Sequence, residues 1–235
     1  MTGASADRRR AAKPAPAGDA GAALPTSPPG TRATRMPRDQ RRASLLDAAN
    51  EVFTSRGYHA AAMDDIAEAA GVSKPVLYQH FPSKLDLYLA LLDASCDSLV
   101  DTVSEALTAT DRNADRVVAT VEAFYDFVSS ASGKFRFVFE SDLTGDASVQ
   151  QRLWQVNEDI ADLIAAVIVE DTALPPEQSK LLAISLVGIA QVSARYWVRS
   201  GMSIPVEEAT SLVNRLAWRG IRGFPLSHYD ASRLH

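Results

Sequence analysis

Four polar side chains able to meet DNA, Lys74, Tyr78, Gln79 and His80, fall within seven residues that follow directly on Gly71-Val72-Ser73. A lysine ammonium suits a phosphate. Phenol, amide and imidazole groups suit the base edges of a major groove. A short helix opening at Lys74 would offer them together. Ser73 is placed to cap that helix, and Pro75 fits a first turn whose amides have no intrahelical partner. Upstream, Ile66, Ala67 and Ala70 form the apolar stripe of a helix over about 64–70. Gly71 is the corner residue, free to take positive φ, and Val72 is its apolar plug. The pattern predicts a helix-turn-helix whose second helix enters the major groove. The expected DNA contacts are Ser73, Lys74, Pro75, Tyr78, Gln79 and His80. Lys84, at the start of the next helix, is expected to hold a phosphate. Arg35 and Arg38, with Arg32, are placed to reach the neighbouring minor groove.

Other chemistry is sparse. The four histidines, His59, His80, His228 and His235, lie in no metal-ligand spacing, and neither a nucleophile elbow nor a phosphate-binding glycine loop is present. No catalytic residue, metal, cofactor or enzymatic activity is expected. The 235 residues carry a net charge of −5, which is unfavourable for a DNA binder until its distribution is considered. Residues 1–42 hold nine Lys or Arg against three Asp, a balance of +6, leaving −11 for the rest. The positive end adjoins the helix-turn-helix, where phosphate attraction is useful. The acidic body serves either to repel DNA or simply for solubility. The single cysteine, Cys96, fits a reducing compartment and a small core position. Arg8–Arg10 are followed by no apolar segment, so a cytoplasmic location is expected. The longest apolar run, 181–198, contains Gln191 and Arg195, which favours a buried helix over a membrane span.

These residues need elements to position them. Residues 1–35, rich in Ala, Pro, Gly and Arg, are expected to be a disordered basic tail, with or without DNA contact. Pro37 opens a first helix with Leu45, Leu46, Ala49, Val52 and Phe53 on one face, ending at Gly57. The DNA-binding domain is expected over 36–83, with Phe81 filling its core and Ser83 and Asp86 at capping-box spacing. From Lys84, a stripe running through Leu92, Cys96, Leu99 and Val103 to Leu107 predicts one helix of about 24 residues, roughly 36 Å long. It links the head to a second domain over 84–224, followed by a tail over 225–235. Further helices are expected around 117–128, around 149–167, from Pro175-Pro176 to about Ser200, and from Pro205. The alternating Phe135, Phe137 and Phe139 have no second strand to pair with, so a short helix or irregular segment is expected there. The fold class is all-α. The last two helices carry more apolar surface than one small bundle can cover, which predicts a homodimer formed through Ile184, Gly188, Gln191, Arg195, Leu212 and Leu216. Gly188 either permits close helix approach or is merely tolerated.

The stretch IAEAAGVSKPVLYQHFPSK, with the arginine-rich helix before it, resembles the signature of the TetR family of one-component transcription regulators over about 37–92. Met63 departs from the family pattern, which often has a phosphate-touching Thr there, so that contact is not carried over. The resemblance implies palindromic operator DNA, a four-helix dimer interface and a cavity for a hydrophobic small molecule in the C-terminal bundle. FRFVFESD and LVGIAQVSARYW add a likeness to the fatty-acid synthesis regulators of actinobacteria within that family. This implies a long-chain acyl-CoA effector. Phe124, Phe127, Phe139 and Trp154, in an aromatic-rich stretch, are expected to line the cavity with Leu99, Val103, Val128, Ile164, Ile189 and Tyr196. Any one of the aromatic residues taken alone is more readily read as core. Arg136 and Arg195 are the candidate cations at its mouth. A regulator of efflux or catabolic genes released by another lipophile shares every DNA argument.

Overall fold

Why the head folds as three helices is readable in its buried side chains. The computed structural model describes residues 37–130, 137–138, 143 and 145–221. The expected tails at 1–35 and 225–235 lie outside them. Among the described residues there are eight bounded helices, a further helical piece at Phe137 and Val138, and no strand. Helix α1 (Arg38–Ala60) buries Leu45, Ala48, Ala49, Val52 and Phe53 at helical spacing. Gly57 takes φ 76°, which kinks the chain, and a last turn continues to Ala60 rather than stopping at the glycine. Helices α2 (Met63–Ala69) and α3 (Lys74–His80) pack beneath it, with Leu45, Ile66 and Leu77 at 0% exposure. Truncating such a residue to Ala costs about 2–5 kcal/mol. Met63 is buried in this core. Gly71 takes φ 63°, where a side chain would be strained. The expected cap at Ser73 differs in detail: no side-chain cap bond forms, and its backbone carbonyl accepts from Val76 N (2.9 Å) and Leu77 N (3.3 Å).

Helix α4 (Lys84–Thr108) carries the chain out of the head. The Ser83 hydroxyl accepts from Asp86 N at 3.1 Å and donates to the Asp86 carboxylate at 2.7 Å, so the reciprocal bond of the capping box closes between side chains. Its 25 residues bury Leu87, Tyr88, Leu91, Leu92, Cys96, Leu99, Val103 and Leu107. Four more helices complete the body: α5 (Asn113–Ser129), α6 (Ala147–Thr172), α7 (Pro176–Arg199) and α8 (Val206–Ile221). Asp146 caps α6 by accepting from Ser148 N and Val149 N. Helix α4 packs on α5 and α6, α6 on α7, and α5 on α8. Arg152 of α6 binds Asp93 and Asp97 of α4, and Lys180 of α7 binds Glu158 and Asp162 of α6. Cys96 lies fully inside, and burial pushes its thiol up to about 12, which makes it inert packing.

Phe137 and Val138 are helical and buried, in keeping with a short helix rather than a strand there. Phe137 packs edge-on to Phe53 of α1 at 6.5 Å and against Tyr88 of α4 at 5.3 Å between ring centres. Aromatic side chains thus form the seam between head and body. Helix α7 is covered by this chain on one side only. It is long and apolar enough to cross a membrane by length and composition, yet Ala183, Ala194 and Trp197 pack inward, and the Trp197 indole donates to Ile204 O at 2.9 Å.

Candidate functional site

The face of α3 carries the expected DNA-contacting groups together. Ser73, Lys74, Pro75 and Gln79 are exposed, Tyr78 is 40% exposed, and His80 is half-buried at the helix end. Lys74 Nζ lies 2.8 Å from Asp64 of α2, and the hydrogen bond to that carboxylate raises its pKa further. The ammonium is therefore charged and tethered beside the groove-reading face. Arg38 is exposed at the start of α1, whereas Arg35 lies outside the described residues. Sequence reasoning missed two neighbours. The Arg42 guanidinium stacks over the Phe81 ring at 4.5 Å, and His80 feels Arg38, Arg42 and Arg41 together. Burial first, then these three cations, holds the imidazole below its ordinary value. The α1 start and the α3 end thus form one positive patch. The one-turn spacing of Arg38, Arg41 and Arg42 was the available signal.

Lys84 is differently employed from the phosphate contact expected of it. Its Nζ donates to Tyr58 O at 2.8 Å and to Ala61 O at 2.9 Å, and lies 4.4 Å from the centre of the Tyr58 ring. A cation at the end of α1 also complements the helix dipole. An ammonium spent on these carbonyls fixes the first turn of α4 to the head. It is a structural clamp.

The body holds an apolar cavity of about 330 Å³, at the low end of the range for small-molecule sites, about 300–1,000 Å³. Val103 and Leu107 of α4, Val121 and Phe124 of α5, Ile160 and Ile164 of α6, Ile189 and Ala190 of α7, and Val213 and Ala217 of α8 contribute its walls. Of the expected lining residues, the structure brings Val103, Phe124, Ile164 and Ile189 together there. Leu99, Phe127 and Val128 are buried in the core beside it, outside its lining. Phe139 lies outside the described residues. Trp154 and Tyr196 are corrected outright, being 62% and 74% exposed. Trp154 is one position off the inward stripe of Val149, Val156 and Ile160, and Tyr196 joins the outer stripe of α7.

Polar groups gather at one end of the cavity. Arg116 of α5 donates through Nε to Thr110 O at 2.8 Å and through Nη1 to Asn113 Oδ1 at 3.0 Å and Asp171 at 3.1 Å. Of the cations expected at the mouth, Arg136 lies outside the described residues, and Arg195 is exposed and does not line the cavity. The spacing of Asn113, Arg116, Thr120 and Phe124 on one face of α5 was the missed signal.

A third surface is apolar and open. Leu181, Ile184, Val192 and Tyr196 of α7 follow one another at helical spacing, and Leu212 and Leu216 of α8 are 48% and 62% exposed. Gly188 and Gln191 are half-buried in the same region of α7, Arg195 is exposed, and a Cβ at Gly188 would meet nothing within 4 Å. The residues expected at a dimer contact are thus on or beside this stripe. Leu181, Val192 and Tyr196 extend it.

Known proteins resemble this chain over its DNA-binding head and over most of its length. Residues 45–91 match the family described as bacterial regulatory proteins, tetR family. The HTH-type transcriptional activator FasR of Mycolicibacterium smegmatis is 44% identical over 196 residues, spanning 83% of this chain and 90% of that one. A TetR-like transcriptional regulator from Rhodococcus sp. RHA1 superposes with a TM-score of 0.64 at 30% identity, over 80% of this chain and all of the other. The regulator FadR from Bacillus subtilis, solved in complex with stearoyl-CoA, shares the fold at 15% identity, with a TM-score of 0.63 over 74% of this chain and 96% of its own.

Proposed function

We propose, from the premise that this chain belongs to the TetR family of DNA-binding transcriptional regulators, that it is a cytoplasmic homodimer controlling genes of fatty-acid or lipid metabolism. A long-chain acyl-CoA or a similar lipid in the body cavity sets its affinity for a palindromic operator. The observation that carries this reading is the path of α4. Val103 and Leu107 of α4 line the cavity, and Lys84, at the other end of the same helix, is clamped to the end of α1. The nineteen-residue separation corresponds to about 28 Å of rigid helix.

Filling the cavity displaces Val103 and Leu107, and a continuous helix passes that displacement to the head. In a dimer the two α3 helices must sit about 34–36 Å apart, or a multiple, to enter successive major grooves. A small tilt of α4 in each protomer changes that spacing. Coupling of about 1–3 kcal/mol changes operator affinity about 5- to 150-fold. The lipid must prefer one of the two spacings, since equal binding to both shifts nothing. Within the head, the exposed face of α3 reads base edges and the Arg38, Arg41 and Arg42 patch holds phosphates. The apolar stripe of α7 and α8 supplies the dimer contact. The likeness to FasR over most of both chains supports the choice of lipid genes. Fluorescence-anisotropy titration of a labelled palindromic operator, with and without palmitoyl-CoA, tests this reading.

A further inference from the structure

The cavity has a polar end whose one arginine already faces two carboxylates, and that restricts what an amphipathic ligand can present there. Arg116 faces Asp171 at 3.1 Å and Asp111 at 3.8 Å, two carboxylates against one guanidinium. Of the five guanidinium N–H groups, Nε and Nη1 are occupied by Thr110 O, Asn113 and Asp171, and Nη2 makes only the longer approach to Asp111. The Arg116 side chain is 17% exposed, so this ion pair is largely withdrawn from water. One turn further along α5, Thr120 also lines the cavity. Its hydroxyl is buried and has no hydrogen-bond partner among the described residues. A buried hydroxyl without a partner costs stability, and a ligand acceptor at that position would recover it.

We propose that Arg116, Asp171 and Thr120 form a head-group selector that accepts an uncharged carbonyl, such as an acyl thioester, and rejects the free fatty carboxylate. This rests on the acyl-ligand reading above and specifies it. A further carboxylate arriving at Arg116 meets Asp171 at close range in a weakly polarisable surround, where like charges repel strongly. A neutral carbonyl meets no such opposition. It accepts from the Thr120 hydroxyl and from Nη2 without disturbing the bond to Asp171. The apolar walls beyond, including Phe124, Ile160 and Ile164, take the chain.

The test is release or retention of a fluorescent operator by the full-length protein, titrated with palmitoyl-CoA and with palmitate below their micelle thresholds. Wild type is expected to respond to the thioester at a concentration at least tenfold lower than to the acid. Asp171→Asn removes the opposing carboxylate while keeping the shape. It should lower the palmitate concentration required by about tenfold and so narrow the ratio. Thr120→Val should raise the palmitoyl-CoA concentration required about three- to tenfold. Melting curves of both variants within a few degrees of wild type establish that they are folded. Equal responses of wild type to both ligands, or an unchanged ratio in Asp171→Asn, overturns the selector and leaves the acyl reading standing. Silence toward both ligands overturns both.

Discussion

Lys84 donates to the carbonyl of Tyr58 at 2.8 Å while its ammonium lies over the same residue's ring at 4.4 Å. One side chain thereby joins the first turn of the long helix to the end of the first helix, across the junction of head and body. Lys84→Met is expected to destabilise the protein by about 1–3 kcal/mol, the worth of charged hydrogen bonds to part-buried carbonyls. The salt dependence of nonspecific DNA binding should stay that of wild type, because no phosphate contact is lost. Thermal melting and a salt titration check both halves. A salt slope lower by about one would return Lys84 to the phosphates.

On α3 the two kinds of contact separate. Lys74→Ala should weaken binding to all sequences and lower the salt slope by about one, releasing Asp64 from its ion pair at 2.8 Å. Gln79→Ala should instead relax preference at one base pair of each half-site, by about 1–3 kcal/mol. Binding to a panel of singly substituted operators distinguishes them.

His80 gives the head a pH dependence of definite sign. Burial and the Arg38, Arg42 and Arg41 charges hold its imidazole below 6.5 in the free protein. Protonation therefore costs the fold as pH falls below the unfolded value, and costs it in full below the depressed one. DNA phosphates offset the arginines and lift the value, so operator binding takes up a proton. Affinity should rise several-fold as pH falls from about 7.5 to about 5.5, and His80→Gln should flatten that rise. A flat wild-type profile would separate His80 from the phosphates.

The open stripe of α7 and α8 should be the subunit contact. Ile184→Glu with Leu216→Glu places two charges on exposed apolar positions, so folding is expected to survive while association fails. Sedimentation velocity should show a monomer, and affinity for a two-half-site operator should fall to that for a single half-site. A dimer retained in the double variant would place the contact elsewhere.

Where the fold could be read in advance, one physical cause did the work. Stripes such as Val149, Val156 and Ile160, or Leu99, Val103 and Leu107, record which side of a helix faces apolar neighbours, and the helices follow from them. The corner at Gly71 was legible because its positive φ restricts the residue type. Partners were not legible. Whether Lys84 meets a phosphate or the carbonyls of Tyr58 and Ala61 depends on where α1 ends, three residues past the glycine that should have stopped it. Arg116 escaped notice because its role arises from Asp171, fifty-five positions away. Trp154 and Tyr196 suggested a cavity by residue type, but type does not decide direction. Their stripes point outward.

If the cavity and the DNA-reading face are coupled through α4, blocking the cavity uncouples them. Val103→Trp would fill the space beside α4 without touching the head. The measurement is operator affinity of wild type and of this variant, each with and without saturating palmitoyl-CoA. The account predicts a shift of about 5- to 150-fold in wild type. In Val103→Trp the affinity should be fixed, whatever its level, and indifferent to the lipid. An undiminished lipid response in a folded Val103→Trp dimer would contradict the account.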